Sequence, residues 1–331
     1  MPATPIVKGT APFGDHKTWY RVTGDLGSGR TPVVVLHGGP GSTHDYLLSL
    51  ASLAEAGRPV VHYDQLGNGG STRLPDRGTD FWTVRLFREE LDNLLRHLKV
   101  GDDYILFGQS WGGMLAADHA ADRPAGLRGL VIANSPASMP LWLREMAVLR
   151  ERLPPEVQET LLRHEAAGTT DTAEYFAAMR VFYDRHVCRV QPWPRDYLAT
   201  FMEINDDPTV YHAMNGPNEF HVIGSLKDWS VEDRIPHIDV PTLLISGRHD
   251  EATPATVQPF YDLIPDVRWE ILEESSHVPH LEEPERFTSV LTAFLAELDG
   301  AGGTAIPGAA AAIPSPSLPG ESTEPKEGAL G

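Results

Sequence analysis

Tyr104-Ile-Leu-Phe-Gly108-Gln-Ser110-Trp-Gly112-Gly-Met114-Leu-Ala-Ala117 decides the reading of the chain. The run Tyr104–Phe107 is short, apolar and bounded by glycine, which predicts a strand. From Gly112 to Ala121 small apolar residues predict a helix. Between the two stands G-x-S-x-G. A serine on a sharp strand-to-helix turn presents its hydroxyl above the sheet, and the flanking glycines leave room where strand and helix crowd each other. The helix N-terminus behind Ser110 adds a favourable potential for developing negative charge. The same five residues in an ordinary turn carry no chemistry. The strand before them and the helix after them select the nucleophile reading for Ser110.

On either side the alternation continues. Pro32–Leu36, Pro59–Tyr63 and Leu127–Ala133 read as further strands, and Val84, Phe87, Leu91, Leu94, Leu95 and Leu98 repeat at helical spacing. Short, wholly apolar strands separated by helices imply an α/β fold with a mostly parallel central sheet covered by helices on both faces. From about residue 137 to 233 the signals become helical and aromatic. Strands then resume at Pro241–Ser246 and Val267–Leu272, before a helix over Pro284–Leu298. The layout is therefore a core (1–136), a helical cap inserted at 137–233, the rest of the core (234–299), and a Gly/Ala/Pro-rich tail (300–331). The tail has no aromatic residue and no apolar period, so it is expected to be disordered.

A nucleophilic serine needs a base, and the base an orienting carboxylate. The chain order for this turn is serine, acid, histidine, each after the C-terminal end of a strand. Asp250 follows the strand ending at Ser246, and His277 follows the strand ending at Leu272. His249 and His280 compete for the base. His277 is preferred because it comes first after its strand and precedes the final helix. Asp239 precedes its strand and falls at the wrong end of the sheet. His37-Gly-Gly-Pro-Gly41 follows the strand Val33–Leu36, where a glycine-rich turn can aim an N–H at an acyl oxygen, with the Trp111 N–H as partner. Pro40 has no N–H, so Gly38 or Gly39 must donate, with Gly39 preferred.

The whole chain has 331 residues, 41% hydrophobic and 22% charged, enough apolar material for a sizeable core. Its net charge of −19 argues against nucleic acid and anionic membrane surfaces as partners. The single cysteine, Cys188, excludes an intramolecular disulfide and a Cys-rich zinc site. Cys188 has no glycine-rich elbow and reads as a structural thiol. Fourteen histidines show no metal-ligand spacing, and no cofactor fingerprint is present. No apolar run approaches the ~18–20 residues of a membrane span, and the N-terminus lacks the pattern of a secretory signal. A cytoplasmic location is the expectation.

His37–Gly41, His62-Tyr-Asp-Gln-Leu-Gly-Asn-Gly-Gly-Ser71 and Gly108-Gln-Ser-Trp-Gly-Gly113 together resemble the proline iminopeptidase family. These are α/β-hydrolase-fold serine aminopeptidases, a group that includes tricorn-associated aminopeptidases and amino-acid amidases. The resemblance covers about residues 5–298. It implies that Glu219, in Met214-Asn-Gly-Pro-Asn-Glu-Phe220, and Glu251, after the triad aspartate, hold the free amino terminus of a substrate. Paired carboxylates offer an α-ammonium charge-assisted hydrogen bonds, and repel each other when it is absent. The implied partners are short peptides or amino-acid amides with a free N-terminal amine. Phe220 and Trp111 adjoin Glu219 and Ser110 and are the candidates for an apolar side-chain pocket. Four readings remain open: an aminopeptidase, an amidase or tailoring hydrolase for amine-bearing metabolites, a generic esterase, and a non-catalytic receptor of the same fold.

Overall fold

The computed structural model describes residues 4–301. One eight-stranded sheet runs in the order β1-β2-β4-β3-β5-β6-β7-β8. Its strands are β1 (Ile6–Phe13), β2 (His16–Thr23), β3 (Val33–Leu36), β4 (Val60–Asp64), β5 (Tyr104–Gln109), β6 (Leu127–Ala133), β7 (Thr242–Gly247) and β8 (Val267–Leu272). From β4 to β8 every pairing is parallel, as the wholly apolar runs predict. All residues of β3, β4, β5 and β7 are buried. The β1–β2 hairpin and the β2–β4 pairing are antiparallel, and sequence reasoning did not predict these two strands. β1 lies at the sheet edge and is mostly exposed, so it lacks the apolar run that marks the inner strands.

Helices α1 (Val84–Leu98), α2 (Trp111–Ala120), α8 (Pro254–Leu263), α9 (Pro279–Glu282) and α10 (Pro284–Ala301) belong to the α/β core. Gly300 and Ala301 complete α10, so the helix runs past the expected start of the tail; the rest of that tail lies outside the described residues. Between β6 and β7 come α3 (Met139–Glu151), α4 (Pro155–Ala167), α5 (Ala173–His186), α6 (Arg195–Asp206) and α7 (Thr209–Met214). Ser138 and Thr172 cap α3 and α5 by accepting the N–H groups of Leu141 and Tyr175. Tyr183, Trp193, Tyr197 and Phe201 pack ring against ring inside this insertion. It is tied to the core where Thr200 accepts from the Thr43 N–H at 2.7 Å and His186 Nδ1 donates to the His249 carbonyl at 2.9 Å.

Because the strands are parallel, their C-terminal ends share one edge, and the loops leaving that edge carry His37, Gln65, Ser110, Asn134, Asp250 and His277. The turn at Ser110 needs its glycines. A Cβ on Gly108 would stand 2.2 Å from the Gly112 carbonyl oxygen, and one on Gly112 2.1 Å from that of Leu36. Both obstacles are backbone and cannot swing away. Gly112→Ala is therefore expected to cost about 1–3 kcal/mol, read as a lowered melting temperature in thermal denaturation. An unchanged melting temperature would contradict this account of the turn.

Candidate active site

Ser110 sits at φ 56°, ψ −125°, a strained conformation for a residue with a side chain. Three bonds hold it there. Its N–H donates to the Ala133 carbonyl at 2.9 Å, and its carbonyl accepts from Gly113 at 2.8 Å and Met114 at 3.2 Å. Strand β6 thus fixes the turn from one side and the first turn of α2 from the other.

Asp250 lies in the loop after β7 and His277 in the loop after β8, both buried. His277 Nδ1 donates to Asp250 Oδ1 at 2.7 Å. The same oxygen accepts the Ala252 N–H at 2.8 Å, and Oδ2 accepts from Asn134 Nδ2 at 2.6 Å. Burial alone would lower the pKa of His277. The charge and hydrogen bond of Asp250, with Glu219 behind them, outweigh burial and raise it. Ser110 and His277 line one cavity of about 260 Å³ together with Gly39, Glu219 and Glu251. Nδ1 and Nε2 of His277 thus face different partners, and Nε2 stands 3.7 Å from Glu251 Oε1.

In the glycine-rich loop Gly38 and Gly39 differ in the partners of their N–H groups. The Gly38 N–H donates to Tyr46 Oη at 2.8 Å and is occupied. Gly39, at φ 109°, lines the cavity, and its N–H has no hydrogen-bond acceptor among the described residues. Tyr46 in turn donates to Gln109, whose Nε2 donates to the His277 carbonyl at 2.9 Å. One phenol and one amide therefore link the glycine loop, the serine turn and the histidine loop.

Gln65 makes a second clamp. It donates through its N–H to His37 Nε2 at 3.0 Å and through Nε2 to the His37 carbonyl at 2.9 Å, and its Oε1 accepts the Trp111 indole N–H at 2.8 Å. Burial lowers the pKa of His37 to about 4, so the imidazole is neutral and its Nε2 is free to accept. Beside it Glu90 accepts from the Leu66 N–H at 3.0 Å, and burial pushes this carboxyl up to about 7. Tyr46, Gln65, Gln109 and Asn134 escaped sequence reasoning. Gln109 and Gln65 stand inside quoted motifs, but nothing in those motifs says what their side chains touch.

The two glutamates meet in the cavity. Glu219 is half-buried at its wall, and the Tyr211 hydroxyl donates to Oε1 at 2.7 Å. Glu251 is 1% exposed, and neither of its oxygens has a hydrogen-bond partner among the described residues. Burial raises the pKa of both. For Glu219 the bond from Tyr211 offsets part of the rise, whereas for Glu251 the charges of Glu219 and Asp250 add to it. The cavity thus holds two carboxyl groups, of which Glu251 has no hydrogen-bond partner among the described residues.

Trp111 lines a second, smaller cavity of about 20 Å³ that shares Ser110, Gly39 and Glu219 with the first. Phe220 is a correction: it lines neither cavity. Its ring packs 5.1 Å from Phe182 and 4.9 Å from the Arg150 guanidinium, in the interior of the insertion. Cys188 is buried and its thiol is pushed up to about 12 by burial, as befits a structural residue. Among the described residues no helix is long and apolar enough to cross a membrane.

Residues 31–284 match the family described as alpha/beta hydrolase fold. A proline iminopeptidase of Heyndrickxia coagulans is 40% identical over 82% of this chain and 92% of its own. Among solved structures, that of VinJ is 73% identical, with a TM-score of 0.87 over 88% of this chain and 99% of that one. The proline iminopeptidase of Mycobacterium smegmatis is 50% identical, with a TM-score of 0.83 over 90% of this chain and 100% of its own. With its serine turn, glycine loop and paired glutamates carried on that fold, the chain belongs to the proline iminopeptidase family of α/β-hydrolase-fold proteins.

Proposed function

We propose that the protein is a serine aminopeptidase that releases an N-terminal residue, proline or another apolar one, from short peptides. The observation that carries this reading is the unpartnered Glu251 beside Glu219 in the cavity of Ser110 and His277. A buried carboxylate without a donor is costly, and an α-ammonium relieves that cost. The ammonium of an N-terminal residue lies one carbon from the scissile carbonyl. With Glu251 Oε1 only 3.7 Å from His277 Nε2, a cation held there brings the first peptide bond, and no later one, to Ser110. Relatives named proline iminopeptidase support the same reading.

In this reading Ser110 Oγ attacks the carbonyl carbon while His277 Nε2 takes the hydroxyl proton, and Asp250 holds Nδ1–H in place. The N–H groups of Gly39 and Trp111 stabilise the oxyanion. The C–N bond breaks as His277 returns the proton to the leaving amine. A water, deprotonated by His277, then hydrolyses the acyl-enzyme and frees the residue. Mass spectrometry of short peptides bearing N-terminal proline or alanine, each beside its N-acetylated form, tests this. Loss of one residue from the free-amine peptides alone is expected. Internal cleavage, or equal cleavage of acetylated peptides, would overturn it.

One observation favours a second reading, an amidase or tailoring hydrolase whose leaving group is an apolar amine. Phe176, Met179, Phe201 and Ile204 line part of the cavity and give an apolar amine a surface to pack on, beside the polar Thr170, Asp171, Asn205 and His212. Comparing kcat/KM for one aminoacyl group carried on a dipeptide and on an apolar alkylamide separates the two.

A further inference from the structure

We propose that Asn134 is a positioning residue for the acid and the base, fastening Asp250 and the loop of His277 to the end of β6; this rests on the triad reading above. Asn134 is fully buried and sits at φ 52°, in the left-handed region that glycine occupies more cheaply. Asparagine is among the side chains that tolerate this conformation best, so it is the partners of the amide, and not the backbone, that point to a use. Its Nδ2 donates to Asp250 Oδ2 at 2.6 Å and to the Ser276 carbonyl at 3.1 Å. Carboxylate and carbonyl oxygens only accept, so the amide must present its NH2 to them, and both hydrogens are used. Its own N–H donates to Ile245 in β7 at 2.8 Å, which locks the backbone from which the amide projects. One side chain therefore joins the end of β6, the acid after β7 and the residue just before the base.

The consequence is electrostatic as well as geometric. Asp250 divides its negative charge between the Asn134 amide, the Ala252 N–H and the imidazole. Without the amide, more of that charge falls on His277 and favours its imidazolium, which cannot act as a base. Other charges facing the ring are Glu251 from the same loop as Asp250, Glu219 from the cap, and Glu282 on α9, with His280 behind. Among the described residues none of these is hydrogen-bonded to Asn134, so the effect of changing it passes through Asp250 and the Ser276 carbonyl.

The test uses Asn134→Gly, which keeps the left-handed backbone, with Asn134→Ser and Asn134→Asp beside it. Each is assayed on an aminoacyl arylamide and on a neutral p-nitrophenyl ester, with active serines counted by a fluorophosphonate. Asn134→Gly is expected to lower kcat per active serine about 10- to 100-fold on both substrates, with KM little changed. The acid limb of kcat/KM should move to higher pH, least for Asn134→Ser and most for Asn134→Asp. An unmoved acid limb with normal kcat per active serine overturns the proposal, even if the melting temperature falls. So does failure of all three variants to fold by circular dichroism, which assigns Asn134 to the fold alone. A loss confined to the arylamide would also overturn it. A wild-type enzyme indifferent to the substrate amine would instead defeat the aminopeptidase reading and leave Asn134 standing.

Discussion

Alanine at Ser110 is expected to lower kcat by roughly 10⁴- to 10⁶-fold while the protein stays folded. The hydroxyl is the nucleophile in our account, and the turn around it is held by backbone bonds that alanine preserves. His277→Ala should do equal damage. The double variant should be barely worse than either, because a base without a nucleophile has nothing to deprotonate. Asp250→Asn should cost on the order of 10⁴-fold by leaving the imidazole in the wrong tautomer. The measurement is steady-state turnover on an aminoacyl arylamide, with circular dichroism to confirm folding. Substantial turnover by purified Ser110→Ala would refute the nucleophile.

Glu251→Gln should lose activity and gain stability at once. Glutamine keeps the size of the side chain but not its charge, so kcat/KM for free-amine substrates should fall by on the order of 2–4 kcal/mol. Hydrolysis of a small neutral ester should fall little. Stability moves the other way. Burial raises the Glu251 carboxyl well above its usual range, so the folded protein holds a proton that the unfolded chain gives up. Stability is then full below the ordinary carboxylate range and declines as pH rises through it. Glutamine cannot ionise and removes that decline. The variant should therefore melt a few degrees above the parent at pH 8 and level with it near pH 4, read by thermal denaturation at both. A variant less stable at pH 8, or equally impaired on ester and amine, would make Glu251 a structural residue.

Much of this was legible in the chain because it is local. The inner strands announce themselves as apolar runs, the elbow as glycine spacing, and Asp250 and His277 as the first acid and the first histidine after their strands. What the chain concealed depends on contacts between distant residues. Tyr46 reaches Gln109, and Asn134 reaches Asp250, across sequence gaps that no motif spans. The β1–β2 hairpin was hidden by its exposure. Phe220 failed as a pocket residue for a related reason. It adjoins Glu219 in sequence, but its side chain turns into the interior of the insertion while Glu219 faces the cavity. The assignment of the oxyanion donor was narrowed to two glycines by the missing N–H of Pro40. What favours Gly39 in the proposed mechanism is the Tyr46 hydroxyl, which takes up the Gly38 N–H and which no motif announces.

In the proposed function Glu219 and Glu251 read the amine of the substrate. The most direct measurement is the ratio of kcat/KM for prolyl p-nitroanilide to that for its cyclopentanecarbonyl counterpart, which keeps the ring and lacks only the amine. A ratio of about 30- to 1000-fold in favour of the prolyl compound is predicted, shrinking towards one in the Glu219→Gln, Glu251→Gln double variant. A wild-type ratio near one, or a large ratio that survives both substitutions, would contradict the account.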